Sequence, residues 1–459
     1  MGLHEIRKGL DLPIDGAPVQ SVTDGPTIGR VAFLADDFPG IKPRVSVEEG
    51  QRVRRGDVVC EDRAVPGVRH TAPGAGEVVA IHRGERRALQ SIVIELSDGE
   101  RRDAPGEEEL AALPTVREGG AEGSTDLEVR SALLESGLWT ALRTRPFGKV
   151  PSPDSKPSAI FVTATDTNPL SAEPEILIEA RRADFDLGLR LIARLTDGET
   201  YLCVRAGSDL TRGVDAPVSV QEFAGPHPAG LAGVHIHLLA PVSRTRSVWT
   251  IGYQEVTSIG SLFRTGRLDV SRVVALGGPP VPRPRLVRTR VGASLADLLD
   301  GEGLPEDVRW ISGSVLSGKA AMGEVFGFLG RHDYQVSILQ EGRRRELLSW
   351  LSPGKGTFSA LPVYLPRFSR RAKLDFTTST HGGDRAMVPI GLYERVMPMD
   401  ILPTFLLRAL VVGDIEQAEK LGCLELVEED LGLLSFVDPG KTDYGPLLRD
   451  ALARLEEEG

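Results

Sequence analysis

Several stretches of the 459-residue sequence carry residue types that could do chemistry. Gly313-Ser-Val-Leu-Ser-Gly318-Lys319 has most of a phosphate-cradling loop, whose backbone amides hold phosphates while the lysine reaches the outer one. Ala320 stands where a Ser or Thr would hold magnesium, and no apolar strand and long helix flank the stretch, so it reads as a glycine-bounded turn. Gly74-Ala75-Gly76 is the nearest approach to a dinucleotide fingerprint, and Val79 replaces its third glycine. His235 and His237 lie two apart in an expected strand, which puts both on one face as the start of a metal site, but no third ligand is evident. Gly292-Ala-Ser294-Leu-Ala296 misses the nucleophile elbow at its last position, so Ser294 reads as the N-cap of a short helix ending near Asp300.

The three cysteines, Cys60, Cys203 and Cys423, are too far apart for a zinc knuckle or a cluster motif, and they read as small buried side chains. The ferredoxin pattern C-x2-C-x2-C-x3-C-P, laid on Pro398, puts its cysteines at Met387, Ile390, Tyr393 and Met397. Laid on Pro439, it puts them at Glu428, Leu431, Leu434 and Asp438. Both prolines stand and every thiolate position is filled by something else, as in a ferredoxin fold that holds no iron. The sequence singles out no catalytic side chain, no cofactor-binding residue and no metal ligand.

The elements around these residues suggest roughly three domains of about 150 residues each. Short strands with glycine turns run from Val45 to Val59, from Thr71 to Ile81 and from Ser91 to Leu96, as in a small closed β sandwich. They resemble the barrel-sandwich hybrid of biotinyl and lipoyl carriers, where a hairpin presents a modified lysine ahead of an Ala-Pro pair. Counting back seven residues from Ala72-Pro73 reaches Val65, and the nearest upstream lysine is Lys42, so a structural role is expected.

Residues 103–126 read as a linker rich in Gly, Glu, Ala and Pro, followed by a helix from Leu127 to Arg143. Strands at Ala159–Thr163, Tyr201–Arg205 and Gly233–Leu239 alternate with helices at Pro174–Ala183, Asp184–Leu195 and Gln254–Phe263, and a strand at Ser271–Leu276 closes this α/β layer. Pro279, Pro280, Pro282 and Pro284 form a connector to a β-grasp-type module, and helices are expected at Ile401–Val411, Ile415–Leu421 and Tyr444–Glu457.

Composition narrows the function. A net charge of -11 argues against a nucleic-acid partner, which would need a positive excess. The hydrophobic share of 41% and mean hydropathy of -0.10 fit a soluble globular chain with several cores. No transmembrane helix is expected, since the longest uncharged run, Phe223 to Ser243, holds three prolines and three histidines; the first residues show no signal peptide. Eight basic residues between Arg343 and Lys373 reverse the sign locally and could face anionic headgroups or an acidic partner.

Long motifs then identify a resemblance. Lys8-Gly-Leu-Asp-Leu-Pro-Ile14, Ala80-Ile-His-Arg-Gly-Glu85, Pro284-Arg-Leu-Val-Arg-Thr289, Ile311 to Gly318, Ala386-Met-Val-Pro-Ile-Gly391, Glu394 to Pro403 and Tyr444 to Asp450 run nearly end to end. The chain resembles the family of A subunits of sodium-translocating NADH:quinone oxidoreductases. The resemblance implies a multi-domain α+β chain. Its parts are an N-terminal arm and barrel-sandwich hybrid over 1–102, the linker, a Rossmann-like α/β domain over 127–278, a β-grasp (SLBB-like) domain over 279–372 and a C-terminal helical domain over 373–459.

The resemblance also implies a peripheral location on the cytoplasmic side of the bacterial inner membrane, with no tightly bound cofactor. NADH, FAD, FMN, iron-sulfur, riboflavin and ubiquinone would be used through the other members of a six-subunit complex, A to F. The implied partner is chiefly the flavin-bearing B subunit in the membrane, with ubiquinone as a candidate ligand. The reaction would carry electrons from NADH to ubiquinone and export sodium. The competing expectation is an iron-sulfur carrier of an Rnf-type complex, and the missing cysteine motifs count against it.

Overall fold

The computed structural model describes residues 2–113, 123–343, 358–360, 373–383 and 385–458. Most of the basic stretch between Arg343 and Lys373 lies outside them, as does the middle of the 103–126 segment. Two six-stranded sheets, a four-stranded sheet and a three-stranded sheet carry the described chain, with a helical layer at its C-terminal end.

The α/β sheet runs, in space, Gly2–Glu5, Ser219–Ala224, Glu199–Arg205, Ala159–Ala164, Val248–Gly252 and Arg143–Arg145. All neighbours pair in parallel except the last. Leaving out the N-terminal and antiparallel edge strands, the sheet has the order 3-2-1-4 of half a doubly wound fold, with its switch point between Ala159–Ala164 and Val248–Gly252. Helices Arg182–Ile192 and Tyr253–Thr265 cross on one face. They come close because Gly188 and Gly260 sit at the crossing: a Cβ on Gly260 would stand 1.8 Å from the Asp184 carbonyl oxygen, and one on Gly188 2.0 Å from that of Val256.

Three expected elements differ. The helix placed at Leu127–Arg143 spans Asp126–Ser136, because Gly137 takes a left-handed conformation (φ 78°) and ends it. It opens on a capping box, in which the Thr125 side chain accepts from the Glu128 amide and Glu128 accepts from the Thr125 amide. The segment Gly233–Leu239, expected as a strand, lies within the helix Ala232–Leu239: Gly233 to Ile236 are buried in succession, so period could not separate the two states. The strand at Ser271 does not close the α/β layer; Ser271–Gly277 pairs with Arg285–Arg290 and Gln335–Gln340 in the second six-stranded sheet.

That second sheet also takes in Val19–Asp24 from the N-terminal region, alongside Arg285–Arg290. The sandwich is built from Arg30–Leu34, Leu89–Leu96, Gly76–Arg83 and Arg52–Val53 against Pro43–Val45, Val58–Asp62 and Arg69–Thr71. Its core is continuous with that of the second sheet: Val31, Ile92 and Ile94 share one cluster with Val274, Val287 and Ile338. The buried Glu100 carboxylate ties the two together by accepting from Arg55 and Arg290, each at 2.6 Å. At the C-terminal end, helices Pro403–Val412, Ile415–Lys420, Glu428–Val437 and Tyr444–Glu458 bury their own core.

Candidate functional site

A cavity with about 60 Å³ of free space opens where the sandwich, the α/β domain and the second six-stranded sheet meet. Domain junctions are where small-molecule sites collect, and a ligand larger than a few water molecules would have to part these walls. Phe33 reaches it from strand Arg30–Leu34, Phe38 from the turn after it, and His70 from the short strand Arg69–Thr71. The pairing of His70 with Cys60 fixes the strand, and the Thr71 hydroxyl donates to the Ser136 carbonyl at 3.0 Å, which seats it against the α/β domain. Leu138 and Ser258 line the α/β side, and Arg272 and Arg331 the third.

His70 is the polar centre of this wall. It is 3% exposed, its ring lies 4.9 Å from that of Phe33 and 4.3 Å from that of Phe38, and its Nε2 has no hydrogen-bond partner. Burial, and then the charge of Arg331, push the imidazole down to about 3, so it is neutral at physiological pH. A neutral buried imidazole with a free ring nitrogen can exchange one hydrogen bond with whatever enters.

Behind Arg272 and Arg331 lies the switch point of the α/β sheet. Helix Tyr253–Thr265 starts directly after strand Val248–Gly252, the position whose amides hold phosphate in dinucleotide folds. Here the anion is internal. The Glu255 carboxylate accepts from Arg331 at 3.1 Å and from Arg272 and the Tyr334 hydroxyl in closer contacts. Burial pushes its pKa up, but the two guanidinium groups and the hydroxyl outweigh that and hold it below the ordinary carboxylate range. Tyr334 fills the crevice so completely that a Cβ on Gly252 would stand 1.6 Å from its hydroxyl. Nearby, burial raises the Asp37 carboxyl to about 6 against the opposing charge of Lys319, and Asp37 accepts the Arg331 amide at 2.8 Å.

The residues singled out by sequence go elsewhere. The Gly313–Gly318 stretch is a turn, and the Lys319 ammonium donates to the Asp36 carbonyl at 2.7 Å. Ser294 caps the helix Leu295–Leu298 by accepting the Asp297 amide. His235 contacts the Ala229 carbonyl at 2.9 Å. His237 bridges Glu425 at 2.8 Å and the Asp400 amide at 2.9 Å, so the two histidines pin backbone and domain contacts and do not converge. No group of three or more His, Cys, Asp or Glu suited to a metal occurs among the described residues. All three thiols are buried, with pKa values raised by desolvation, Cys60 and Cys423 to about 12. Of the positions where a ferredoxin would carry cysteine, Tyr393 and Asp438 meet: the Tyr393 hydroxyl donates to the Asp438 carboxylate at 2.8 Å, with Tyr444 beside them.

None of Phe33, Phe38, His70, Glu255, Arg272, Arg331 and Tyr334 stands out in the sequence. The legible trace is Gly252, a glycine between an apolar strand and a helix with an acid in its first turn, where a phosphate site would avoid one.

Comparison with known proteins follows the same division. The description "NqrA N-terminal barrel-sandwich hybrid domain" matches residues 4–97, "NqrA second alpha/beta domain" matches 124–268 and "NQRA C-terminal domain" matches 273–323. The A subunit of the Na(+)-translocating NADH-quinone reductase of Serratia proteamaculans is 52% identical, over 99% of this chain and 100% of its own. That of Hahella chejuensis is 53% identical with the same coverage. Among solved structures, a chain of the air-oxidized NAD+-reducing [NiFe]-hydrogenase gives a TM-score of 0.37 at 12% identity, covering 79% of this chain and 75% of that one. So low a score carries no argument.

Proposed function

The chain belongs to the family of A subunits of Na+-translocating NADH-quinone reductases, and on that premise we propose that it is a peripheral, cofactor-poor component serving assembly and the quinone-reducing step. It sits at the cytoplasmic face of the bacterial inner membrane against the flavin-bearing B subunit, in a six-membered complex that moves electrons from NADH to ubiquinone and sodium outward. Flavins and iron-sulfur centres belong to the other members. An iron-sulfur carrier of the Rnf type is not favoured: the relatives are named as components of a quinone reductase, and the three thiols are buried and apart. The C-terminal domain reads as a ferredoxin relative whose cluster positions have gone to packing, in keeping with the Tyr393–Asp438 contact.

One observation carries the quinone assignment: an aromatic cavity with a single unpartnered ring nitrogen, His70 Nε2, and two guanidinium groups in its wall. A quinone head is flat, apolar on its faces and an acceptor at its carbonyls, so Phe33 and Phe38 suit the ring and neutral His70 can donate to one carbonyl. Two electrons from a redox centre on a partner and two protons convert quinone to quinol. Arg272 and Arg331 stabilise the negative charge that builds on the ring before the protons arrive.

The test uses membranes that lack this chain and keep the rest of the complex. NADH oxidation with an artificial acceptor is expected to persist, while quinone reduction and sodium uptake fail. Loss of NADH oxidation with every acceptor, despite assembly of the other components, would overturn the assignment. A photoreactive quinone analogue is expected to label the peptides around Phe33 to His70.

A further inference from the structure

Reducing a quinone in the His70 cavity consumes two protons, and the residues that line the cavity offer one group able to hand them over. Arg272 and Arg331 keep their protons at any working pH, and neutral His70 has none to release there. The hydroxyl groups in the lining are far weaker acids. Two carboxyl groups remain, Asp37 and Asp269, and Asp269 is matched by the Arg181 guanidinium at 2.6 Å.

Asp37 has no guanidinium of its own. It lies in the turn after strand Arg30–Leu34, with its side chain 11% exposed. Its Oδ2 accepts the Arg331 amide at 2.8 Å. Its Oδ1 stands 3.7 Å from the Lys319 ammonium, beyond hydrogen-bond reach, since that ammonium donates to the Asp36 carbonyl at 2.7 Å. Asp333 crowds it from beyond Gly330: a Cβ on that glycine would lie 3.4 Å from Asp37 Oδ1 and 2.3 Å from Asp333 Oδ2. The Asp333 carboxyl is held in place by the Ser312 hydroxyl, which donates to it at 2.6 Å. His332, its ring 6.0 Å from that of Phe38, is kept neutral by burial and then by the charge of Arg143. Burial and Asp333 favour a proton on Asp37, while Lys319, the Arg331 amide and Arg143 oppose it. The balance, near 6, suits a group that gives and regains a proton in the working range. Lys319, the lysine that follows the Gly313–Gly318 turn, is 60% exposed, so the Oδ1 side of Asp37 lies close to solvent.

We propose that Asp37 is the proton donor for quinone reduction in this cavity, recharged from solvent on its Lys319 side. This rests on the quinone assignment above and adds the source of the protons. As electrons arrive from the redox centre on the partner, the Asp37 O–H bond breaks and an O–H bond forms on a quinone oxygen, directly or through a water molecule. The carboxylate left behind takes a proton from solvent, and a second passage through the same carboxyl completes the quinol.

The test uses the assembled complex. Wild-type quinone reduction is expected to lose turnover as pH rises through about 6, where Asp37 gives up its proton. Asp37→Asn is expected to cut kcat at about pH 6 by at least about tenfold, to leave KM within about twofold and to flatten the profile between about pH 5 and 8. Artificial-acceptor reduction is expected to persist and the unfolding midpoint not to fall. Asp37→Glu, which keeps the acid, is expected to restore part of the turnover together with the inflection. Lys319→Met, at a surface position, is expected to move the inflection upward, because it removes the cation that opposes the proton. Wild-type turnover and profile in Asp37→Asn overturn the donor, and so does an inflection that stays in place in Lys319→Met. If the photoreactive quinone analogue labels the Phe33 to His70 peptides in the same preparations, the failure is that of the donor alone. If it labels none of them, the cavity assignment fails and takes the donor with it.

Discussion

The Tyr334 hydroxyl donates to the Glu255 carboxylate across the boundary between the second six-stranded sheet and the α/β domain. The pair occupies the switch point of a half-wound sheet, where relatives of this topology hold a ligand's phosphate against a helix N-terminus. The carboxylate supplies the negative charge, and Arg272 and Arg331 close the circuit. In this chain that place in the fold is a domain joint.

Glu255→Gln therefore leaves two buried guanidinium groups facing each other without their anion. Removing one partner of a buried pair costs about 3–5 kcal/mol. Chemical denaturation at pH 7 is the measurement. Because the folded pKa of Glu255 lies below its ordinary 4.5, its contribution is present above about 4.5 and lost as pH falls through the folded value. The variant and the wild type are thus expected to converge in acid, and a constant gap down to pH 3 would rule out the electrostatic account.

Asp37 behaves in the opposite sense. Its folded pKa is raised from 3.8 to about 6, so between those values the folded state holds a proton that the unfolded chain has released. Stability then falls as pH rises across that window and stays lower above it. Asp37→Asn keeps an acceptor for the Arg331 amide and removes the buried charge. It is expected to raise stability at pH 8 by up to about 3 kcal/mol and to leave it unchanged near pH 4. A loss at both pH values would show that the carboxylate is a net stabiliser.

The two helices of the α/β domain give a test with the sign of intrinsic propensity reversed. Alanine is the better helix former by about 1 kcal/mol, so Gly260→Ala in an open helix would stabilise. Here the new methyl would press on the Asp184 carbonyl at 1.8 Å. The helices must part, at a cost of about 1–3 kcal/mol or more. A raised unfolding midpoint would mean that the crossing has room for the methyl and is not closely packed.

These examples show which parts of the fold were legible in the sequence. The strands at Ala159 and Tyr201 and the helices at Gln254, Ile415 and Tyr444 were readable because period and end signals agree locally. Gly233–Leu239 reads wrongly because four consecutive buried residues, Gly233 to Ile236, give no amphipathic period. Ser271–Gly277 was recognisable as a strand, but its sheet was not: pairing partners such as Arg285–Arg290 are set by contacts distant in sequence. The same holds for the cavity, whose wall takes Phe33, His70, Ser258 and Arg331 from four separate stretches. No spacing rule joins them.

His70 separates quinone chemistry from stability. His70→Leu is expected to lower quinone reduction several-fold, mostly through KM, with artificial-acceptor reduction unchanged. With its pKa near 3, the ring stays neutral across the working range, so the pH profile of the wild type contains no inflection from it. An inflection between pH 5 and 7 that disappears in His70→Leu would show a charged imidazole at work and contradict the neutral-donor role.

The hairpin that carries a modified lysine in acyl carriers offers the last test. Here the turn between Val58–Asp62 and Arg69–Thr71 is folded onto the α/β domain: Val68 is fully buried in that domain's core, and Val65 packs against it. The turn is held from within as well, since the Asp62 carboxylate accepts the Ala64 amide at 2.8 Å and the Lys42 amide at 3.0 Å. A lysine placed by Val65→Lys would enter an apolar contact, unlike the free tip that an acylating enzyme must grip. Its intact mass in a host with active biotinyl and lipoyl ligases is expected to be that of the unmodified chain, with the unfolding midpoint lowered by the partly buried charge. A mass increase of one lipoyl or biotinyl group would show that the turn leaves its seat often enough to be recognised, and that the sandwich is still a carrier in all but its lysine.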